Sequence, residues 1–290
     1  MLLEGIETLL ILSKEKTMSR TGSLLYISQS AVSKRIANLE KRLGKKLVVP
    51  DGRHIRLTAD AQALIDRVGP SFHELSGLIF EQQTLEDNTL IRFDCSETLV
   101  AGLLSEVMGK YFSHDKRITI TTNHTPRIVE HVRSGKATLG LCAGYLPGNH
   151  GLTTFHLYDE PVFIVSQQPL AQLPQQIITN DLSNSANTYQ ASILEHLGIT
   201  PIMEMDSYTA AAQLALQGVA PALVPLSIIQ TLSVSPHNYF SFDALQPLFR
   251  PIHLCLRAMT YRSPRIKSLI AAIVDAVPTT VSEPLIKTSE

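Results

Sequence analysis

The stretch Ser28-Gln29-Ser30-Ala31-Val32-Ser33-Lys34-Arg35-Ile36-Ala37-Asn38-Leu39-Glu40 decides how the rest of the chain is read. Val32, Ile36, Leu39 and Leu43 recur at the i, i+4, i+7, i+11 spacing of one buried helical stripe. Ser30, Lys34, Ala37 and Lys41 then fall on the opposite side, flanked by Ser33 and Asn38. Ser28 is placed as the N-cap, its hydroxyl accepting from a free backbone N–H one turn on. An outer face of small hydroxyls, an amide and cations suits a groove of DNA. Small residues let the backbone approach, and cations meet phosphates or guanine edges. The same spacing also describes an ordinary amphipathic helix with a solvated charged face. What surrounds the stretch separates the two.

Upstream, Leu2, Ile6, Leu9 and Leu10 mark a helix over residues 2–13, and Thr17 caps a short helix that ends at Leu25. With the turn at Tyr26-Ile27, these make a helix-turn-helix. Downstream, the chain from Lys45 to Leu57 reads as a two-stranded ribbon around Pro50-Asp51-Gly52, with Arg53 at its tip. Residues 1–57 therefore form a winged helix-turn-helix. Residues 1–60 carry 11 Lys and Arg against 6 Asp and Glu, a net of +5, while the remainder carries −6. Ser28–Arg56 alone holds 8 basic residues against 2 acidic ones. That is the footprint of a nucleic-acid-facing head on an acidic body.

Thr58 caps a long helix whose stripe, Ala61, Leu64, Ile65, Val68, Phe72, Leu75 and Ile79, runs towards Glu86. We read residues 58–87 as a linker helix for dimerisation, kinked at Gly69-Pro70; the alternative is a helix packed on its own chain. Glu86-Asp87-Asn88 is the boundary.

From Leu90 strands alternate with helices. Expected strands are Leu90–Phe93, Ile118–Thr122, Leu139–Ala143, Phe155–Tyr158, Val162–Ser166, Ala222–Val224 and His253–Ala258. Expected helices are Ser96–Phe112, Arg127–Ser134, Leu194–Leu197, Ala210–Gln217, Ser227–Thr231 and Pro264–Val277, with a loose tail from Thr279. This order predicts a mostly parallel sheet flanked by helices, with ligands at the carboxyl ends of strands. The ligand-binding candidates are accordingly Ser96, Glu97 and Thr98 after the first strand, and Asn123, His124 and Thr125 after the second. Ala143, Gly144 and Tyr145 follow the third, and Ser207, Tyr208 and Thr209 come from the second half. Hydroxyls and free N–H groups there suit an anion, whereas Glu97 favours an amino-bearing ligand. For each residue, capping of its own helix is the competing role.

The chain has 290 residues, 44% of them hydrophobic and 18% charged, enough for two cored domains. Three widely spaced cysteines, Cys95, Cys142 and Cys255, are not a disulfide framework and fit a reducing cytosol. Glu4 and Glu7 interrupt the apolar start, which argues against a secretory signal, and no run of eighteen apolar residues occurs. No metal-ligand spacing, nucleophile elbow or phosphate loop is present, so no enzyme activity and no cofactor are expected.

Ser28–Ile36, Leu39-Glu40, Leu43-Gly44, Leu47 and Arg56-Leu57-Thr58 together resemble the head of a LysR-type transcriptional regulator. The remainder is similar to that family's effector domain through Ser134–Leu141, Gln168–Ala171 and Gly218–Pro225. The resemblance implies an α+β/α/β multidomain chain: a winged helix-turn-helix, a dimerising linker helix, and a periplasmic-binding-protein-like domain of two α/β lobes over 88–290. Lobe I then spans about 88–160 and 264–278, and lobe II about 161–263. It also implies a cytoplasmic activator or repressor, a dimer or dimer of dimers on promoter DNA, that answers to a small molecule between the lobes and works with RNA polymerase. Thr21-Gly22 stands where the family has small alanines, which predicts a weaker second helix, and Val49-Pro50 departs from the usual wing.

For DNA contact the candidates are Gln29, Ser30, Ser33, Lys34 and Arg35, with Arg53 in the wing; the lateral Arg35 points to a phosphate. Two other functions compete. One is a redox-responsive regulator using Cys95 and Cys142; the other is a small-molecule-binding protein whose head only oligomerises.

Overall fold

The computed structural model describes residues 2–52, 54–81 and 89–277, with the side chains of 80 and 81 excepted. The chain divides into two compact units, residues 1–79 and 80–290. Arg53, the expected boundary Glu86-Asp87-Asn88 and the expected tail from Thr279 lie outside the described residues.

The first unit holds α1 (Leu2–Glu15), α2 (Met18–Leu25), α3 (Gln29–Leu43), the ribbon β1 (Val48–Asp51) and β2 (His54–Leu57), and α4 (Ala59–Glu81). Thr17 caps α2 by accepting from Arg20 N, Ser28 caps α3 by accepting from Ala31 N, and Thr58 accepts from Ala61 N at the start of α4. Gly44, at φ 65°, ends α3. Leu9 and Leu12 pack on Ile36 and Leu39, closed below by Leu47, Val48 and Ala61. Leu43 departs from its expected place in this stripe: as the last residue of α3 it is 39% exposed.

Gly22 explains why α2 lacks an alanine. A Cβ there would lie 2.7 Å from the Ile27 carbonyl oxygen, because the chain turns from α2 into α3 against that backbone. The turn is held by Ile27 N donating to Gly22 O, with Tyr26 at φ 54°. Thr21 is buried and its hydroxyl donates to Thr17 O at 2.8 Å. Gly22 is thus a requirement of the tight turn.

The first turns of α4 pack on their own unit through Ala61, Leu64 and Ile65. The helix runs on through Pro70, and Leu75, Leu78 and Ile79 reach solvent, the last 56% exposed. The two roles foreseen for this helix therefore divide along its length: its start belongs to the head's core, and its far end carries an uncovered apolar stripe.

The second unit is built on one curled sheet in the order β4-β3-β5-β11-β6-β9-β7-β8, with β10 on β6. Its first lobe contains β3 (Ile91–Cys95), α5 (Glu97–Leu99), a π-helical turn Val100–Leu104, α6 (Ser105–His114), β4 (Ile118–Thr122), α7 (Thr125–Arg133) and β5 (Leu139–Ala143). β6 (Thr153–Val165) leads into the second lobe of β7 (Gln176–Asn180), α8 (Thr188–His196), β8 (Thr200–Met205), α9 (Tyr208–Leu216), β9 (Ala222–Pro225), α10 (Leu226–Thr231) and β10 (Tyr239–Phe240). β11 (Phe249–Leu256) returns to the first lobe, and α11 (Pro264–Asp275) packs there through Ile266, Leu269 and Ile273.

Four departures from the sequence expectations matter. The sheet is not mostly parallel: β3–β4, β3–β5, β7–β8 and β7–β9 are parallel, while β5–β11, β11–β6 and β6–β9 are antiparallel. The strands expected at 155–158 and 162–166 are one strand, β6, which pairs with β11 up to Pro161 and with β9 from Val162. Proline is tolerated there because β6 changes partner at that residue. β11 pairs with β5 from Ile252 on, so residues 252–256 belong to lobe I's sheet rather than to lobe II. The helix expected over 96–112 is broken by the π turn, where Gly102 meets α10; a Cβ on Gly102 would lie 2.6 Å from Ser227 Cβ. Among the described residues no helix is long and apolar enough to cross a membrane.

The Gly22 contact makes a direct prediction. Gly22→Ala forces a methyl group against backbone and should destabilise the first unit by about 1–3 kcal/mol. Urea unfolding of the chain followed by circular dichroism checks this, and an unchanged midpoint would show that the turn relaxes freely.

Candidate functional site

Two surfaces carry chemistry, one in each unit. In the first unit, α3 turns Val32, Ile36 and Leu39 inward. The opposite face leaves Gln29, Ser30, Ser33, Lys34, Ala37, Asn38 and Lys41 exposed. Ser30 Oγ lies 2.9 Å from Ser28 Oγ at the helix start. Arg35 is partly covered, and its guanidinium sits 3.6 Å from the Glu4 carboxylate of α1. Five of the six residues expected to meet DNA are therefore described, and four of them share one open face. Arg35 lies at its margin and is held by an acid.

The wing is anchored to α3 by Glu40, a residue the sequence reading left without a role. Glu40 Oε1 accepts from Leu47 N at 2.8 Å and Val48 N at 3.2 Å, and Oε2 lies 2.7 Å from Lys46 Nζ. Partial burial pushes its carboxyl up, but these bonds outweigh burial and hold it below the ordinary glutamate value. Lys45 is engaged by Asp60. Among the described residues Lys34, Lys41, Arg42 and Arg56 have no acidic partner, so their charge is available to a polyanion.

In the second unit a cleft of about 240 Å³ opens between the lobes. Its walls come from the carboxyl ends of four parallel strands: Ser96, Glu97 and Thr98 follow β3, Thr122 and Asn123 end β4, Asn180 and Asp181 end β7, and Asp206 follows β8. His124 and Arg127 extend the first wall, and Asn184, Asn187 and Tyr208 the second. Arg250 forms part of the lining from the crossover strand β11. Six expected residues, Ser96, Glu97, Thr98, Asn123, His124 and Tyr208, are brought together here.

Six others are not. Thr125 is buried, and its hydroxyl donates to Ala143 O at 2.7 Å and accepts from Ala143 N at 3.0 Å, tying α7 to β5. Ala143 is thereby consumed in the same tie. Gly144 (φ 89°) packs on Ala186 of the other lobe, and Tyr145 N donates to Ala186 O, with the Tyr145 ring edge-on to Tyr189 at 4.7 Å. These residues fasten the lobes rather than line the cleft. Ser207 caps α9, and Thr209 does not line the cleft, whereas the expected Tyr208 and the unforeseen Asp206 do. The sequence reading also missed Arg127, Asn180, Asp181, Asn184, Asn187 and Arg250. Asn180 ends a strand that was not foreseen, and Asp181 follows it.

Arg250 and Glu160 face each other across β11 and β6. Both are buried, at 2% and 0% exposure, with Arg250 Nε donating to Glu160 Oε2 at 2.7 Å and Nη2 donating to the same oxygen. Glu160 Oε1 accepts from Ser227 N at 2.8 Å, and Arg250 Nη2 also donates to Ser227 Oγ. The guanidinium lies 5.4 Å over the Tyr208 ring. Burial disfavours the arginine's charge, but Glu160 overrides it and the pKa is raised. Burial likewise raises the Tyr208 hydroxyl.

Asn180 is 3% exposed, and neither end of its amide has a partner. Leaving such groups unsatisfied costs about 1–3 kcal/mol each. Asp94 beneath the cleft is satisfied: Asn123 Nδ2 donates to it at 3.1 Å, and His131 Nδ1 lies 2.6 Å away. Hydrogen bonds from Ser183 hold the Asp181 carboxyl below its ordinary value, and His124 across the cleft adds to this.

The cysteines pair differently from the expectation. Cys142 faces Cys255, with the sulfurs 3.7 Å apart, rather than Cys95. All three are buried. Burial drives the Cys95 thiol well up; at Cys142 the hydrogen bond with Cys255 and burial do the same. Among the described residues no group of His, Cys, Asp and Glu is placed to hold a metal ion.

Comparison with known proteins places both units. Residues 3–62 match the family described as "Bacterial regulatory helix-turn-helix protein, lysR family", and residues 86–278 match "LysR substrate binding domain". A Vibrio cholerae serotype O1 protein described as an uncharacterized HTH-type transcriptional regulator is 70% identical over 284 residues, covering 98% of this chain and 99% of its own length. Among solved structures, a full-length OxyR variant from Pseudomonas aeruginosa superposes with a TM-score of 0.60 at 15% identity, over 96% of this chain and 94% of that one. CbnR, a LysR family transcriptional regulator, gives 0.57 at 14% identity, over 96% of this chain and 100% of its own.

Two outcomes follow from the buried groups. Arg250→Met strands the Glu160 carboxylate and should cost the second unit about 3–5 kcal/mol, whereas Arg250→Met with Glu160→Leu recovers most of it. Thermal unfolding of the three proteins measures this; equal losses in the single and double variants would count against the pairing. Because thiolate is the reactive form, an aromatic disulfide reagent at about pH 8 should label the native chain slowly and the unfolded chain fully. Fast native labelling would reopen a redox role.

Proposed function

This chain belongs to the LysR family of bacterial transcriptional regulators, and from that premise we propose how its DNA-binding and effector-sensing are divided among its residues. It is a DNA-binding transcriptional regulator with an effector-binding domain. In our reading the exposed face of α3 enters the major groove, with Gln29, Ser30, Ser33 and Lys34 meeting base edges and phosphates. Arg35 contacts phosphate from the side once it leaves Glu4, and Arg53 does so from the wing. The observation that carries this is the opposed burial of α3: aliphatic residues inward, and hydroxyls, amides and unpaired cations outward.

The effector occupies the cleft between the lobes, touching Ser96, Glu97, Thr98, Asn123 and His124. A copy of the chain covers the apolar end of α4, giving a dimer or dimer of dimers whose paired heads match two half-sites. RNA polymerase is the further partner, and the cytoplasm, where promoter DNA is met, is the compartment. The head spans residues 1–57, the linker 58–87 and the effector domain 88–290. An oligomerising head alone is disfavoured, because the face it offers is cationic rather than apolar. Redox sensing through Cys95 and Cys142 is disfavoured by burial and by thiols driven away from ionisation.

Binding to the intergenic DNA beside its own gene, followed by fluorescence anisotropy, tests the reading. Lys34→Ala should weaken binding about tenfold or more and lower the steepness of the salt dependence by about one. Equal affinity for this fragment and random DNA would sink it.

A further inference from the structure

We propose that the cleft takes a small zwitterion, an amino-acid-like molecule carrying one ammonium and one carboxylate, an assignment that rests on the cleft being the effector site. Both signs of charge line it, and several are uncompensated. Among the described residues Glu97, Arg127 and Asp206 have no ion-pair partner, although all three face one cavity. Arg250 spends Nε and Nη2 on Glu160 and Ser227, which leaves Nη1 without a hydrogen-bond partner among the described residues.

The second observation is Asn180. Its amide is buried at the cleft with both the oxygen and the nitrogen unpartnered. One end can only accept and the other only donate. A ligand that satisfies both must bring a donor and an acceptor side by side, as an ammonium and a carboxylate on one carbon do. Asn123, Asn184 and Asn187 add neutral polar groups around the same space.

Other charge types fit less well. A simple carboxylate would meet Arg250 and Arg127 but leave Glu97, Asp181 and Asp206 facing it with like charge. A plain amine would satisfy the acids and leave the arginine end and the Asn180 nitrogen unmatched. An uncharged ligand would displace water from three unpaired charges without replacing it. Size sets a further bound. A cleft of about 240 Å³ lies below the range of about 300–1,000 Å³ usual for drug-sized ligands, so the ligand is compact.

The test uses the whole chain, with calorimetry and thermal shift against the proteinogenic amino acids. Each hit is compared with its decarboxylated amine and its deaminated acid. Simple carboxylates, amines and sugars serve as a parallel panel. The expected result is a zwitterion that binds, with both one-pole analogues at least about tenfold weaker. Glu97→Gln combined with Asp206→Asn should weaken the zwitterion about tenfold, with the unliganded melting point serving as the folding control. A deaminated acid binding as tightly as its parent, or no amino acid binding at about 10 mM, overturns the proposal. If a simple carboxylate or sugar binds instead and Asn180→Ser abolishes it, the zwitterion falls while the cleft stands as the effector site. If an amino acid binds and Asn180→Ser leaves its affinity unchanged, the cleft itself is the wrong site.

Discussion

The second unit depends on the Glu160–Arg250 pair. These residues lie opposite one another on β6 and β11, where β6 leaves one lobe's ladder and enters the other's. A buried ion pair is seldom a gain in stability over apolar residues of the same size. Here its value is positional. Glu160 spends its second oxygen on the backbone of α10 at Ser227, and Arg250 reaches the Ser227 hydroxyl and the face of Tyr208. One charge pair thus fixes the two lobes, α10 and the floor of the cleft to a single point. Any apolar replacement could keep the strands together but could not present a guanidinium to a ligand.

The cleft follows from that point. Each lobe contributes parallel strands whose carboxyl ends face the other lobe, so polar loop residues converge without needing a catalytic motif. Around the rim, close approaches of glycine backbone join the Tyr145–Tyr189 ring contact in fastening the lobes. Gly102 sits against Ser227 and Gly144 against Ala186, both at distances that exclude a Cβ. The head shows the opposite economy. Its capping hydroxyls and Glu40 satisfy backbone N–H groups, which leaves the outward cations of α3 unengaged.

Legibility in the sequence tracked how local the cause was. The head was readable nearly residue by residue, because a stripe at helical spacing, a capping serine and a glycine stop are local signals, and Ser28 and Gly44 perform those roles. Ile118–Thr122 was legible as a β-branched run and Leu139–Ala143 as a short apolar one. β7 and β8 were not, since Gln176–Asn180 has two isoleucines among polar residues and β8 is an exposed edge containing Pro201. β6 was divided on paper by Asp159-Glu160-Pro161, which reads as a turn until Arg250, ninety residues away, neutralises the glutamate. Gly22 read as a weakness for the same reason: the Ile27 carbonyl that demands it belongs to a turn, not to the helix.

The same logic explains which cleft residues could be named in advance. Ser96, Glu97, Asn123 and His124 follow strands that the hydrophobic pattern revealed, so their place at strand ends was visible. Thr125 and Ala143 shared that address, yet a hydroxyl bonded to both the carbonyl and the amide of one residue has no capacity left for a ligand. Asn180 is the converse case. Nothing local marks it, and its importance arises only because folding seals both ends of its amide without partners. Natural interiors rarely tolerate such a group, and those that persist do so where something else completes them. The most informative residue of this cleft is therefore the one whose hydrogen bonds the chain does not itself supply.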